Sequence, residues 1–207
     1  TGGAIGNGNA VCKPSLVYFK FLSYNPQHQN FIPNFFVLIS LIAHRKMRGL
    51  FGNNETDDKW LEIADRIKIE YDATLDYHPQ FDGYVRGTEV KQADTILVGY
   101  PLMLSMNDST RRNELNFYAN VTRKSGPAMT NSMFAINYLD IGDFIDANEM
   151  LEKSYKPYIR PPFNVWNEAT HGVTESAGNF ITGAGGFLQT MFNGFFGIRI
   201  HLNYLEI

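Results

Sequence analysis

Residues 129–155 read MTNSMFAINYLDIGDFIDANEMLEKSY. Apolar side chains recur at helical spacing in both halves of this stretch: Met133, Phe134, Ile136 and Tyr138, then Phe144, Ala147, Met150 and Leu151. Recurrence at three and four residues places such side chains on one face of a helix. The stretch therefore predicts two consecutive helices, at about 129–139 and 143–155. Successive helices with almost no alternating pattern between them are typical of an all-α fold.

The same periodicity extends towards the N-terminus. Asp108-Ser109 is predicted to cap a helix that Gly126-Pro127 ends. Asp57 or Asp58 is predicted to cap an earlier one. Phe31 to Leu50 is the longest apolar segment, but its apolar part of about a dozen residues is short of the roughly 20 that a membrane span needs. It predicts a buried core helix.

Towards the C-terminus, three prolines, Pro157, Pro161 and Pro162, predict an extended passage. We expect one more helix after the glycine-rich run 183–186, carrying Phe187 to Phe192. Close helix packing, or close approach of the backbone to a ligand, explains these glycines better than a phosphate-binding loop, because the run lacks the Lys-Ser/Thr ending and follows no strand. Residues 198–207 alternate loosely and predict the start of a β segment.

Composition excludes several classes of function. The net charge of −3 shows no basic field, so nucleic acid is not expected as a partner. A single cysteine excludes an internal disulfide framework and a cysteine-rich metal site. The histidines show no metal spacing, and neither a Ser-His-Asp nor a Cys-His arrangement is evident. We expect no metal or cofactor, no membrane contact and, because no signal-peptide pattern is visible, a cytoplasmic location.

A polar and aromatic stretch carries the first candidate site residues. It runs from His78 to Tyr84 and on to Lys91-Gln92-Ala93-Asp94. Lys91 offers three donors, and Gln92 offers an acceptor and two donors, while nearby aromatic rings can stack on a sugar. The stretch is typical of a sugar pocket. An ordinary loop with a surface lysine remains the alternative.

Glu168 is the candidate for acid–base chemistry. Most glycoside hydrolysis needs two carboxyl groups, one acid for the leaving oxygen and one base for water. Glu168 follows the proline passage and lies two residues after Trp166, whose ring can raise a carboxyl pKa or stack on a sugar. Glu175 is the neighbouring alternative, and a solvated loop glutamate is the non-functional interpretation.

Five motifs in this order resemble glycoside hydrolase family 65. They are Phe81-Asp82-Gly83-Tyr84, Lys91-Gln92-Ala93-Asp94, Gly126-Pro127-Ala128-Met129-Thr130, Val165-Trp166-Asn167-Glu168, and Asn179-Phe180 with Gly185-Gly186-Phe187-Leu188-Gln189. The resemblance implies an (α/α)6 barrel and an inverting reaction that removes terminal α-linked glucose. In the branch it most resembles, the glucose comes from the glucosyl-galactosyl-hydroxylysine units of collagen. It also implies that Lys91 and Gln92 hold the glucose and that Glu168 is the general base.

One part of the family pattern is missing. The family's general acid is a glutamate some 35 to 40 residues before the position matched by Trp60, yet no Asp or Glu precedes Glu55. We therefore expect residues 31–196 to form the C-terminal part of the catalytic barrel without its acid. Residues 1–30 are expected to be irregular, and residues 197–207 to begin a β region. An acid-trehalase-type hydrolase, a disaccharide phosphorylase of the same family and an inactive sugar-binding remnant are the alternatives.

Overall fold

The computed structural model describes residues 66, 69–173, 176–201 and 203–207. The α-helices of this part are α1 (Asp108–Val121), α2 (Thr130–Asp140), α3 (Phe144–Tyr155) and α4 (Ile181–Gln189). A short 3-10 helix at Thr95–Val98 precedes them, and a π-helical segment at Thr190–Phe195 continues α4. Strands are only two residues long: β1 (Ile159–Arg160) pairs antiparallel with β2 (Val165–Trp166), and β3 (Arg199–Ile200) with β4 (Leu205–Glu206). The described part is mostly helical, in agreement with the predicted all-α class.

The stretch that predicted two consecutive helices forms α2 and α3. Gly142 turns the chain between them at a φ of +74°, a conformation that glycine adopts without strain. Asp143 then caps α3, because its carboxylate accepts the backbone N–H of Asp146 at 3.2 Å. The side chain of Asn131, near the start of α2, donates to the carbonyl of Lys153, near the end of α3, at 3.2 Å. The two helices therefore run antiparallel.

The core lies where α2 packs on α1 and α3. Its fully buried members include Leu115 and Tyr118 of α1 with Phe134, Ile136 and Tyr138 of α2. Burying aromatic side chains of this size dominates core energetics, provided that each hydroxyl finds a partner. The Tyr118 hydroxyl donates to the carbonyl of His78 at 2.7 Å.

Residues 72–84 are irregular, but they are well anchored to α1. The buried Glu114 of α1 accepts the backbone N–H of His78 at 2.9 Å and also bonds its imidazole ring. A buried carboxylate needs such donors to offset the loss of water. This pair holds the loop that leads to Lys91 against α1.

Two predicted helix starts were wrong. The helix expected after the glycine run begins before it, at Ile181, so Gly183 and Gly186 lie inside α4. A Cβ at Gly183 would come within 2.7 Å of the Ala128 side chain, so this glycine allows close helix packing, one of the two expected roles. Asp108 is the first residue of α1 and Asn107 precedes it; the Asp108 carboxylate there suits the positive end of the helix dipole.

Three sequence predictions lie outside the described residues. They are the irregular segment 1–30, the core helix at Phe31–Leu50 and the helix after Asp57-Asp58. Within the described residues, no helix is long and apolar enough to cross a membrane.

Candidate active site

Glu168 lies on a short extended segment that is hydrogen-bonded on both sides. On one side, β2 pairs with β1, and the backbone N–H of Asn167 donates to the carbonyl of Tyr158 at 3.0 Å. On the other side, the N–H of Glu168 donates to the carbonyl of Ala177 at 2.9 Å. The carbonyl of Glu168 in turn accepts the N–H of Ala128 at 2.9 Å. Because both of its peptide groups are bonded, the backbone position of this glutamate is fixed.

Lys91 is held by the turn that follows α1. The carbonyl of Val90 accepts the N–H of Arg123, and the N–H of Val90 donates to Val121. Gly126 lies directly against this backbone: a Cβ there would be 2.6 Å from the carbonyl oxygen of Lys91 and 2.9 Å from that of Arg123. The position requires glycine because no side chain fits between those two carbonyls.

The segment Gly126-Pro127-Ala128 therefore touches both candidate residues. Gly126 packs on the peptide of Lys91, and Ala128 bonds the peptide of Glu168. The buried hydroxyl of Tyr158 donates to the Gly126 carbonyl at 2.9 Å and ties the segment to the end of α3. Desolvation raises the pKa of Tyr158, so its hydroxyl keeps the proton that it donates.

The structure brings the Lys91 ammonium and the Glu168 carboxylate together, although 77 residues separate them in sequence. Nζ of Lys91 is 3.6 Å from Oε1 of Glu168, which is ion-pair contact and longer than a hydrogen bond. The Lys91 side chain is 64% exposed and that of Glu168 is 34% exposed. At that exposure the pair contributes at most about 1 kcal/mol to stability. Both groups remain accessible to a ligand.

Gln92, the residue after Lys91, is half-buried, and among the described residues no hydrogen bond joins its side chain to Lys91 or Glu168. Its side-chain amide nitrogen donates to Oδ1 of Asp94 at 2.7 Å. The side-chain nitrogen of Gln80 lies 3.3 Å from Oδ2 of Asp94 and 3.4 Å from the carbonyl of Gln92. Desolvation raises the pKa of Asp94, and the hydrogen bond from Gln92 partly opposes that rise.

Trp166 is oriented by packing on α4. Its ring lies 6.0 Å from that of Phe187, and its Cε3 would be 3.1 Å from a Cβ at Gly183. The residue is nevertheless half-exposed. Its contact with a sugar stays a prediction, and Glu175, the alternative base, lies outside the described residues.

Comparison with known proteins identifies the relatives of this chain. No family model matches it. It is 45% identical over 146 residues to a protein-glucosylgalactosylhydroxylysine glucosidase of Danio rerio, which covers 70% of this chain and 22% of the relative. The mouse protein of the same name is 47% identical over 142 residues, or 69% of this chain and 20% of the relative. The chain is a homologue of these glycosidases.

Other hydrolases match this chain at lower identity. A periplasmic/secreted acid trehalase of Candida glabrata is 38% identical over 73% of the chain, and a kojibiose hydrolase of Mucilaginibacter mallensis is 32% identical over 73%. The resemblance to glycoside hydrolases that the five motifs indicated is therefore confirmed. The chain spans about a fifth of the length of the glucosidases that it matches.

Three residues that shape this site lie in the stretches singled out from the sequence, but the sequence assigned them no role. Asp94 and Gln80 orient the amide of Gln92, and Gly126 admits the peptide of Lys91. The spacing of Gln92 and Asp94 was a usable signal, because side chains two residues apart can meet in irregular backbone. Gln80 lies in the stretch from His78 to Tyr84, but nothing in the sequence connected it with Gln92. Among the described residues, no three His, Cys, Asp or Glu side chains lie close enough to hold a metal ion.

Proposed function

We propose that this chain forms the base-containing part of a glycosidase active site. The reaction would release terminal α-linked glucose from glucosyl-galactosyl-hydroxylysine, with inversion at the anomeric carbon. The observation that carries the proposal is the 3.6 Å contact between Lys91 and Glu168, in a homologue of glucosidases that bear this substrate in their name. Residues 31–196 would be part of an (α/α)6 barrel, and residues 197–207 the start of a β region.

Each candidate residue has a distinct task in this reaction. The Glu168 carboxylate takes a proton from water as the water attacks the anomeric carbon. The Lys91 ammonium donates to glucose hydroxyls, and Gln92 adds a second polar contact. An ammonium 3.6 Å from the carboxylate places the sugar hydroxyls within one ring of the base, which is the proximity that the attack requires. Trp166 supplies an aromatic wall on which a sugar can stack.

The second half of the chemistry is the protonation of the leaving oxygen. In an inverting enzyme this acid stands about 6.5–9.5 Å from the base. General acid help contributes roughly 10²–10⁴-fold, and no Asp or Glu precedes Glu55 in the region where the family carries its acid. We therefore expect the 207-residue chain on its own to bind glucose and to release it from glucosides at an undetectable rate.

Trehalose is the second candidate substrate, because an acid trehalase aligns with 73% of the chain. A phosphorylase is disfavoured, since phosphate would occupy the place of a base and position 168 is a glutamate. The proposal is tested by titrating glucose into the chain by NMR and by assaying glucose release from glucosyl-galactosyl-hydroxylysine, trehalose and kojibiose. Binding without turnover agrees with the proposal, and rapid turnover of any of the three contradicts the missing-acid expectation.

Variants locate the binding site. Lys91→Ala should weaken glucose binding, and Glu168→Gln should leave it nearly unchanged, because the base acts mainly in the transition state. The matched control is the exposed pair on α3, in which Lys156 lies 2.8 Å from Glu152. Lys156→Ala and Glu152→Gln remove the same kinds of groups and should not alter glucose affinity. If Lys156→Ala weakens binding as much as Lys91→Ala, the site has been misplaced.

A further inference from the structure

The hydrogen bonds around Gln92 determine which end of its side-chain amide bonds Asp94 and which end remains available to a ligand. An amide can point either its nitrogen, a donor, or its oxygen, an acceptor, towards a partner. Here the nitrogen donates to Oδ1 of Asp94 at 2.7 Å. An ionised carboxylate only accepts hydrogen bonds, so the reversed amide would set two acceptors against each other.

A second side-chain amide, that of Gln80, also bonds the carboxylate of Asp94. Gln80 is buried, and its oxygen accepts the hydroxyl proton of the buried Thr95 at 3.1 Å. Its nitrogen is thereby directed to Oδ2 of Asp94 at 3.3 Å and to the carbonyl of Gln92 at 3.4 Å. Both oxygens of Asp94 are occupied, so the carboxylate cannot turn away without breaking a buried bond.

The end of the Gln92 amide that does not bond Asp94 is Oε1. Among the described residues, no donor bonds this oxygen, and Gln92 is half-exposed beside Lys91. Lys91 can only donate, whereas Oε1 can only accept. Neighbouring sugar hydroxyls, each of which can donate and accept, would satisfy both groups at once.

We propose that Asp94 is a positioning residue that selects for a hydroxyl donor in the glucose subsite. It accepts the Gln92 amide, so that Gln92 Oε1 faces the sugar and receives a hydroxyl proton. The proposal rests on the proposed function and specifies how that site recognises glucose. Burial raises the pKa of Asp94 while the Gln92 amide lowers it, so the amide helps to keep the carboxylate charged, and the charge holds the amide.

The first test needs no sugar. The side-chain amide protons of Gln92, assigned by their loss in Gln92→Ala, are followed by ¹⁵N NMR hydrogen exchange. They should exchange slowly in the wild type and several-fold faster in Asp94→Ala. Asp94→Asn should restore slow exchange, because its oxygen can still accept from Gln92. The exposed Asp82→Ala is the control and should change nothing. Equal exchange in the wild type and Asp94→Ala overturns the proposal.

The second test is a double-mutant cycle on glucose affinity. Asp94→Ala and Gln92→Ala should each weaken binding about 10-fold, the loss expected for one hydrogen bond of this kind. If Asp94 acts through Gln92, the double variant loses no more than Gln92→Ala alone. Additive losses would show that Asp94 acts independently and would overturn the proposal.

Deoxyglucoses identify the hydroxyl concerned. One monodeoxy analogue should bind more weakly than glucose to the wild type and equally well to Gln92→Ala. Asp94→Asn should retain the wild-type preference for glucose over this analogue. A purely structural role of the carboxylate would not require that preference to be retained. If the wild type binds no glucose but its Gln92 amide exchanges slowly, the proposed function is contradicted. If the Gln92 amide exchanges rapidly in the wild type, this inference is overturned. The two failures are therefore distinguishable.

Discussion

Gly126→Ala should destabilise the protein and loosen the candidate site at the same time. The added Cβ would lie 2.6 Å from the Lys91 carbonyl oxygen and 2.9 Å from that of Arg123. To reach even 3.0 Å, the Lys91 oxygen must move by about 0.4 Å, and it belongs to a backbone fixed by the Val90 hydrogen bonds. Overpacking of this kind costs about 1–3 kcal/mol.

The assay is thermal unfolding by circular dichroism. For a chain of this size, a loss of about 2 kcal/mol lowers Tm by roughly 4–8 °C. Gly185→Ala is the matched control, because its Cβ would meet nothing within 4 Å inside α4. Alanine is favoured over glycine in a helix by about 0.5–1 kcal/mol, so this variant should raise Tm. A Gly126→Ala Tm equal to or above that of the wild type would refute the reasoning.

The same variant also tests the link between the two candidate residues. If the Lys91 peptide is displaced while Glu168 stays on its doubly bonded segment, the 3.6 Å contact between their side chains is lost. Glucose affinity should then fall in Gly126→Ala, even at temperatures where the variant is fully folded. Unchanged affinity in the folded variant would mean that the position of the Lys91 backbone does not matter for binding.

Three further outcomes are expected. The first uses a chimera with the N-terminal portion of the zebrafish relative, in which Glu168→Gln should lower glucose release by orders of magnitude. Glu175→Gln should lower it far less, and the reverse result would reassign the base. Asp143→Ala removes the cap of α3 and should cost about 1 kcal/mol, measured by urea unfolding. Because burial raises the folded pKa of Asp94 above 3.8, the folded state holds that proton more tightly than the unfolded state. Stability should therefore fall as pH rises from 3.8 through the raised pKa, and this fall should be absent from the urea midpoints of Asp94→Ala.

Local sequence patterns predicted the helices well where tertiary packing agreed with them. Apolar spacing located α2 and α3 to within about a residue. It did not give their burial, because α2 is buried on nearly every side and Phe144, at the start of α3, is exposed. The start of α4 was misplaced because glycine is a poor helix former on its own. The contact of Gly183 with Ala128 and Trp166 overrides that preference, and no local pattern contains it.

In the candidate site, too, local sequence predicted some features and tertiary contacts decided the others. Lys91 and Glu168 were each singled out from their local sequence, but only the family motifs joined them in one site, since no periodicity connects residues 77 positions apart. Their contact depends on Gly126-Pro127-Ala128 reaching both peptides. The support from Gln80 could not be predicted, because it depends on how the 78–84 loop folds back over the start of the 3-10 helix.

The doubly bonded segment that carries Glu168 has a consequence for insertions in the neighbouring loop. The tip between β1 and β2, Pro161 to Asn164, is exposed, and exposed tips tolerate insertions. Residues inserted there would lengthen the loop, while the backbone of Glu168 stays bonded to Ala177 and Ala128, and that of Asn167 to Tyr158. The length of this loop can thus be varied at its tip without relocating the glutamate.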